Sequence, residues 1–199
     1  MASYKDLILQ HCAEIVKQVL DNTKRYKVGS GKIPVPKEPI LYRWWFPANS
    51  EVVTMLSEWK GKDSKKPINL LDGVLATDTF PDGKIYYALY FGKSNNGYRR
   101  YIQHSTGNVH TSTLRHTLYG LCLTEKGEKQ YIKEREEEIT RMLQECYYEW
   151  IPFENEDKLV ECVESICIAL GKYPLNVDGN PAISDQWRDY LLEKRKLKE

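Results

Sequence analysis

The 199-residue chain has no apolar run near the roughly 20 residues that a membrane-spanning helix needs. Its N-terminus, MASYKDLILQHCAEIVKQVL, carries Asp6 and Glu14 inside the stretch that a secretory signal would keep uncharged. A surplus of charge is missing too: 29 Lys and Arg stand against 28 Asp and Glu, a net charge of +1. Proteins that coat nucleic acid by charge alone are far more basic, so that class is set aside. A protein that gathers its cations at one place is not. Cys-x-x-Cys pairs are absent as well. The five cysteines (Cys12, Cys122, Cys146, Cys162 and Cys167) sit among apolar neighbours. They read as reduced thiols of a cytoplasmic protein rather than a disulfide framework or zinc site. There is no internal repeat and no low-complexity tract, and the length suits one core with an extension.

What is present has a clear order. Residues 5–20 repeat apolar positions at helical spacing and predict an amphipathic helix. KRYKVGSGKIPVPKEP, 24–39, predicts a loop. ILYRWWFP follows; its aromatic run with Arg43 is expected to pack the leading segment onto the main core, stacking on nucleic-acid bases being the alternative. NSEVVTMLSEW then predicts a helix capped by Asn49 or Ser50. The polar KGKDSKKP, 60–67, is the candidate boundary. Beyond it, INLLDGVLAT and KIYYALYFG are strand-like and joined by DTFPDGK, an expected antiparallel hairpin. GYRRYIQHS predicts a helix, TSTLRHTLYGLCL the start of another, and EKGEKQYIKEREEEITRMLQE a long charged one. CYYEWIPF has strand texture, and NEDKLVECVESICIALG predicts a helix capped by Asn155. Three parts result: an N-terminal helical extension with a loop (1–66), a main domain (67–182) and a basic helical tail (183–199).

One stretch gathers the cations. ALYFGKSNNGYRRYIQH, 88–104, ends an apolar strand in a glycine, a lysine, paired arginines and a histidine. Arg100 and His104, four apart, share a helix face, and Tyr90 and Lys93 lie at the strand end feeding that helix. Phosphodiester hydrolysis requires fixed cations for the developing charge and a proton acceptor for water. Read alone, the same residues also fit a surface pair beside a core tyrosine. In KLVECVESICIAL, Leu159, Val163, Ile166, Cys167 and Leu170 form one stripe. At about 100° per residue, Glu161 falls nearly opposite that stripe and Glu164 beside it. A carboxylate there can hold a divalent metal over the sheet, or be an ordinary boundary residue. Asn176, in YPLNVDG, reads by itself as a turn residue.

Taken together, GVL (73–75), YFG (90–92), GYRRYIQH, a downstream helical Glu and PLN resemble the GIY-YIG nuclease domain over roughly residues 70–180. The spacings carry the likeness: Gly92 to Arg100 is eight residues, Arg100 to His104 four, and Glu164 to Asn176 twelve, with Lys93 directly after the glycine. The resemblance implies an α+β fold, an α/β sandwich with a small three-stranded mixed sheet flanked by helices. It implies a metal-dependent endonuclease with Tyr90, Lys93, Arg100, His104, Glu164 and Asn176 as catalytic residues. Glu164 would hold Mg²⁺ or Mn²⁺, and Arg99, His110, Ser112 and Arg115 would contact nucleic acid, a helix cap or a plain surface position being the other reading of the last three. The expected partner is double-stranded DNA, with a restriction-type homodimer as one form and a repair or mobile-element nuclease as another. The departure is Leu75, where the family has the tyrosine of GIY; it leaves open a noncatalytic nucleic-acid-binding module on the same fold.

Overall fold

The computed structural model describes residues 4–22, 24–61, 66–74, 76–123, 133–153 and 157–196. Its centre is ILYRWWFP. This strand, β2 (Ile40–Pro47), is buried at every position, as a strand with neighbours on both edges and packing on both faces must be. Along one edge runs β4 (Ile85–Ser94) and along the other β5 (Tyr147–Pro152), both antiparallel. Two three-residue strands, β1 (Arg25–Lys27) and β3 (Thr77–Thr79), complete the sheet in the order β1-β5-β2-β4-β3.

The sheet is therefore five-stranded and antiparallel, not the expected three-stranded mixed one. Much of the difference comes from β2, which the sequence reading assigns to the N-terminal extension and which lies between the two longest remaining strands. The expected hairpin is also shorter at its first arm. Residues 69–73 form turns, with the Asn69 side chain accepting from the Leu71 amide and Gly73 at φ +82°, so only Thr77–Thr79 pairs with β4. The expected charged helix is seen as Glu136–Gln144 (α5); residues 124–132 lie outside the described ones, as does the cap Asn155.

Helices cover both faces. On one, Tyr42, Trp44, Phe46, Leu89, Tyr90 and Tyr148 meet α2 (Glu51–Ser57), α3 (Gly97–Ser105), α4 (Thr113–Leu118), α5 and α7 (Asp185–Lys194). On the other, Leu41, Trp45, Tyr86, Ala88 and Phe91 meet α1 (Tyr4–Asp21) and α6 (Asp157–Gly171). The second face also buries a charge pair. Arg43 and Glu149 are each 2% exposed, and the Glu149 carboxylate accepts from Arg43, from Trp45 Nε1 at 2.8 Å and from Arg25 Nε at 3.3 Å. Arg43 also donates to the Val19 carbonyl at 2.7 Å, which fastens the end of α1 to the sheet. Among the described residues no helix is long and apolar enough to cross a membrane.

Candidate active site

The β2–β4 pairing slips between Trp44 and Trp45: Trp44 faces Tyr90 while Trp45 faces Ala88, so Leu89 is an extra residue in β4. A bulge re-aims the side chains that follow it. Here it puts Tyr90 on the same face as Tyr42, their ring centroids 6.3 Å apart. Two residues on, Gly92 lies opposite Tyr42, and a Cβ there would sit 2.6 Å from the Tyr42 phenol oxygen. The glycine is thus a seat for that phenol. Past the short pairing with β3, the outer edge of β4 is held by Asn176. Its amide accepts from the Phe91 N–H at 2.9 Å and donates to the Phe91 carbonyl at 2.7 Å, imitating a neighbouring strand.

Helix α3 begins where β4 ends. Asn96 caps it by accepting from the Arg99 amide at 2.8 Å, and the Pro36 carbonyl takes the Tyr98 N–H at 2.7 Å, which fixes the helix against the loop before β2. The inward face then presents Arg100, Tyr101 and His104. His104 is fully buried, with Nε2 2.8 Å from the Tyr42 hydroxyl and Nδ1 2.6 Å from Ser112 Oγ. Burial, with Arg100 and Arg115 nearby, holds its pKa well below the usual histidine value, so the ring is neutral at neutral pH. Burial, with Tyr90 and Tyr148 close by, pushes the Tyr42 phenol well above its ordinary range. The result is a dry chain, Tyr42–His104–Ser112, whose Tyr42 end opens onto solvent-filled space.

That space is a cleft of about 480 Å³ lined by Tyr42, Tyr90, Lys93, Arg100, Glu164 and Arg195, among others. Glu164 comes from α6, where the buried stripe is Val160, Val163, Cys167 and Ile168, and it sits at that stripe's border with a side chain 22% exposed. Leu170, expected in the stripe, is exposed. Burial raises the Glu164 pKa, and Lys93 opposes the rise. Lys93 Nζ lies 3.8 Å from Glu164 and 3.1 Å from the exposed Glu161. Arg100 Nε is buried without a hydrogen-bond partner. Two carboxylates (Glu164 and Asp178), two phenols and three cations thus line one opening, with a guanidinium donor still unspent.

A family model of the GIY-YIG catalytic domain matches residues 40–197. The chain belongs to the GIY-YIG family. No curated protein and no solved structure matches it. GIY-YIG proteins are nucleases, so the substrate class is nucleic acid, and they generally use divalent metal ions. The match begins at Ile40, so β2 lies inside the GIY-YIG domain.

Within that domain the structure brings Tyr90, Lys93, Arg100 and Glu164 around the cleft, with Asn176 at its wall and His104 behind Tyr42. Arg99 is exposed beside it, along a shallower cleft that shares Lys93 and Arg100. His110 is exposed in the turn before α4. Ser112 and Arg115 are not brought to the surface. Ser112 is 1% exposed, capping α4 and holding His104. Arg115 is fully buried, paired with Glu136 at 2.8 Å and donating to the His104 and Ser105 carbonyls, so its donors are committed within the protein. The sequence reading sets Leu75 against the tyrosine of GIY; Leu75 lies outside the described residues, and the phenol beside Tyr90 is Tyr42. Lining residues that escape the sequence reading include Tyr42, Thr113, which shares a hydrogen bond with the Tyr90 hydroxyl at 3.1 Å, Asp178 and Arg195. For Tyr42 a signal exists in ILY, a tyrosine two residues into a strand that ends in aromatics. Nothing in the local pattern around Thr113 or Arg195 marks them.

Proposed function

We propose that the chain is a divalent-metal-dependent endonuclease that hydrolyses DNA phosphodiester bonds in the cleft between β4, α3 and α6. The observation that carries the reading is the convergence of Tyr42, Tyr90, Lys93, Arg100 and Glu164 on that one opening. The attacking water is held at the two phenols. The Tyr42 hydroxyl gives its hydrogen bond to Nε2 of neutral His104, 2.8 Å away, which leaves its oxygen lone pairs to accept a hydrogen bond from that water and orient it, and Ser112 keeps the ring turned by its bond to Nδ1. Arg100 offers its unspent Nε–H and its planar fork to the phosphate oxygens as charge builds on them. Lys93 steadies the Glu164 carboxylate and adds positive charge at the strand end. Asn176 keeps that strand end in place through Phe91.

The residues also fit a metal. Among the described residues no three His, Cys, Asp or Glu side chains form a group that could hold a metal, so an ion would rest on Glu164, with Asp178 the other carboxylate lining the cleft. So few hard carboxylates in an open cleft, leaving positions for water and substrate phosphate, suit Mg²⁺ or Mn²⁺ and not a closed structural site. When bound there, the ion supplies Lewis-acid polarisation of the phosphate.

The test is a gel of purified protein on large mixed-sequence DNA, in Mg²⁺ and in EDTA, beside Glu164→Ala. Discrete fragments that require both Mg²⁺ and Glu164 would establish a sequence-specific, restriction-type endonuclease. A smear with the same dependence would make it a nonspecific or structure-guided one. Intact DNA at every enzyme level overturns the proposal.

A further inference from the structure

The last described helix does more than pack. Trp187 and Leu191 of α7 are buried in the main core, which brings the end of the expected basic tail back to the cleft. Three features of one region receive it. Tyr119–Leu123, directly after α4, is a π-helical segment, and its Gly120 leaves so little room that a Cβ would lie 2.5 Å from the Lys194 carbonyl oxygen. Wide turns of this kind recur at functional sites. The His116 ring lies close to the Arg195 main chain, its Nε2 buried without a hydrogen-bond partner. Thr117 Oγ1 accepts from Arg195 Nε at 2.9 Å and from Nη2 at 2.5 Å. The guanidinium is thereby held at the wall of the cleft that Tyr90, Arg100 and Glu164 also line.

Among the described residues Arg195 makes no ion pair there, although Asp178 and Glu164 line the same cleft. Its side-chain partner, Thr117, is a neutral hydroxyl. A guanidinium has five N–H donors, and one hydroxyl occupies two of them. Burial pulls the Arg195 pKa down, while Asp178 and Tyr90 pull it back up. Holding a partly desolvated cation in this way is costly unless an anion completes the site. Arg100, across the same cleft, has its buried Nε unpartnered, so two guanidinium groups face one opening with donors to spare.

We infer that Arg195 binds a backbone phosphate of the nucleic acid, next to the one held at Arg100. The inference rests on the nuclease reading of the cleft. A phosphate contact fixes the register of the strand without reading its sequence. The α7 end therefore serves as a second, sequence-independent grip, delivered by tertiary packing from nearly a hundred residues beyond Arg100.

Fluorescence anisotropy of a short mixed-sequence duplex, in EDTA so that it stays intact, tests this with wild type, Arg195→Gln and Arg195→Lys from roughly 50 to 200 mM salt. Arg195→Gln keeps a donor for Thr117 and removes the charge. It is expected to weaken binding roughly tenfold at low salt and to lower the slope of log affinity against log salt by about one. Arg195→Lys is expected to retain the wild-type slope, and this arm decides if the glutamine variant is unstable. An unchanged slope in a folded Arg195→Gln, or loss of slope in Arg195→Lys as well, overturns the phosphate grip. A wild type that binds no DNA even at low salt overturns the nuclease reading and the grip with it.

Discussion

The phenol oxygen of Tyr42 and Nε2 of His104 lie 2.8 Å apart, one side chain from the central strand of the sheet and the other from the helix that follows its neighbour. Both are buried, yet Tyr42 reaches the cleft where Arg100 and Glu164 stand. Tyr42→Phe removes one oxygen from this arrangement and leaves the ring packing intact. The expected result is a fall in the single-turnover cleavage rate of about 10²–10⁴-fold, with DNA affinity unchanged. Losing the partner of a buried imidazole also lowers stability by about 1–3 kcal/mol, readable in a denaturant melt. A wild-type rate in a folded Tyr42→Phe would remove Tyr42 from the chemistry.

The seat under that phenol gives a second expectation. In Gly92→Ala the new Cβ would lie 2.6 Å from the Tyr42 oxygen and 2.7 Å from its ring carbon Cζ. The ring cannot stay where it is. Displacing it by about 1 Å is expected to cost roughly 10² in cleavage rate. Overpacking costs about 1–3 kcal/mol in stability. Measuring both separates the effects: a variant that loses stability yet cleaves at the wild-type rate would show that the seat serves folding alone.

His104 sets a pH dependence with a definite sign. Burial and the neighbouring Arg100 and Arg115 lower its folded pKa well below the unfolded value of about 6.5. The unfolded chain therefore binds the proton first as pH falls. The contribution of neutral His104 is fully present above about pH 6.5 and is lost progressively as pH drops below it, towards the folded pKa. Its slope approaches about 1.4 kcal/mol per pH unit. His116, pulled down by burial and Arg195, acts in the same direction but is less buried. Thermal melts between pH 8 and 5 should show a falling midpoint below about 6.5. A midpoint that stays level through that window would contradict a neutral, buried His104.

On the opposite face, Glu149 is the counter-charge to Arg43 and also receives Trp45 and Arg25. Glu149→Gln keeps the shape and leaves Arg43 charged in the interior. A loss of about 3–5 kcal/mol is expected in equilibrium unfolding. A loss below 1 kcal/mol would mean that water reaches the pair.

The local elements were legible because short-range physics writes them. The cap at Ser50, the helical stripes of α1 and α6, and the two-sided apolar pattern of β4 all depend on residues a few positions apart. The cluster Tyr90, Lys93, Arg100 and His104 was legible for the same reason, since a strand end and one helix face hold it together. What the sequence could not determine depends on contacts between distant residues. ILYRWWFP has the same texture whether it joins an extension or the centre of the sheet; pairing with β4 and β5 chose the centre and brought Tyr42 to His104, 62 positions away. Ser112 and Arg115 read as surface residues until α5 and His104 closed over them. Arg195 lies 95 positions after Arg100, and only the close approach of α7 to Gly120 brings it to the same cleft. Residue type and spacing thus supplied the chemical groups, and long-range strand pairing and helix docking decided which of them meet, because burial rewards the assembled core and not any single segment of it.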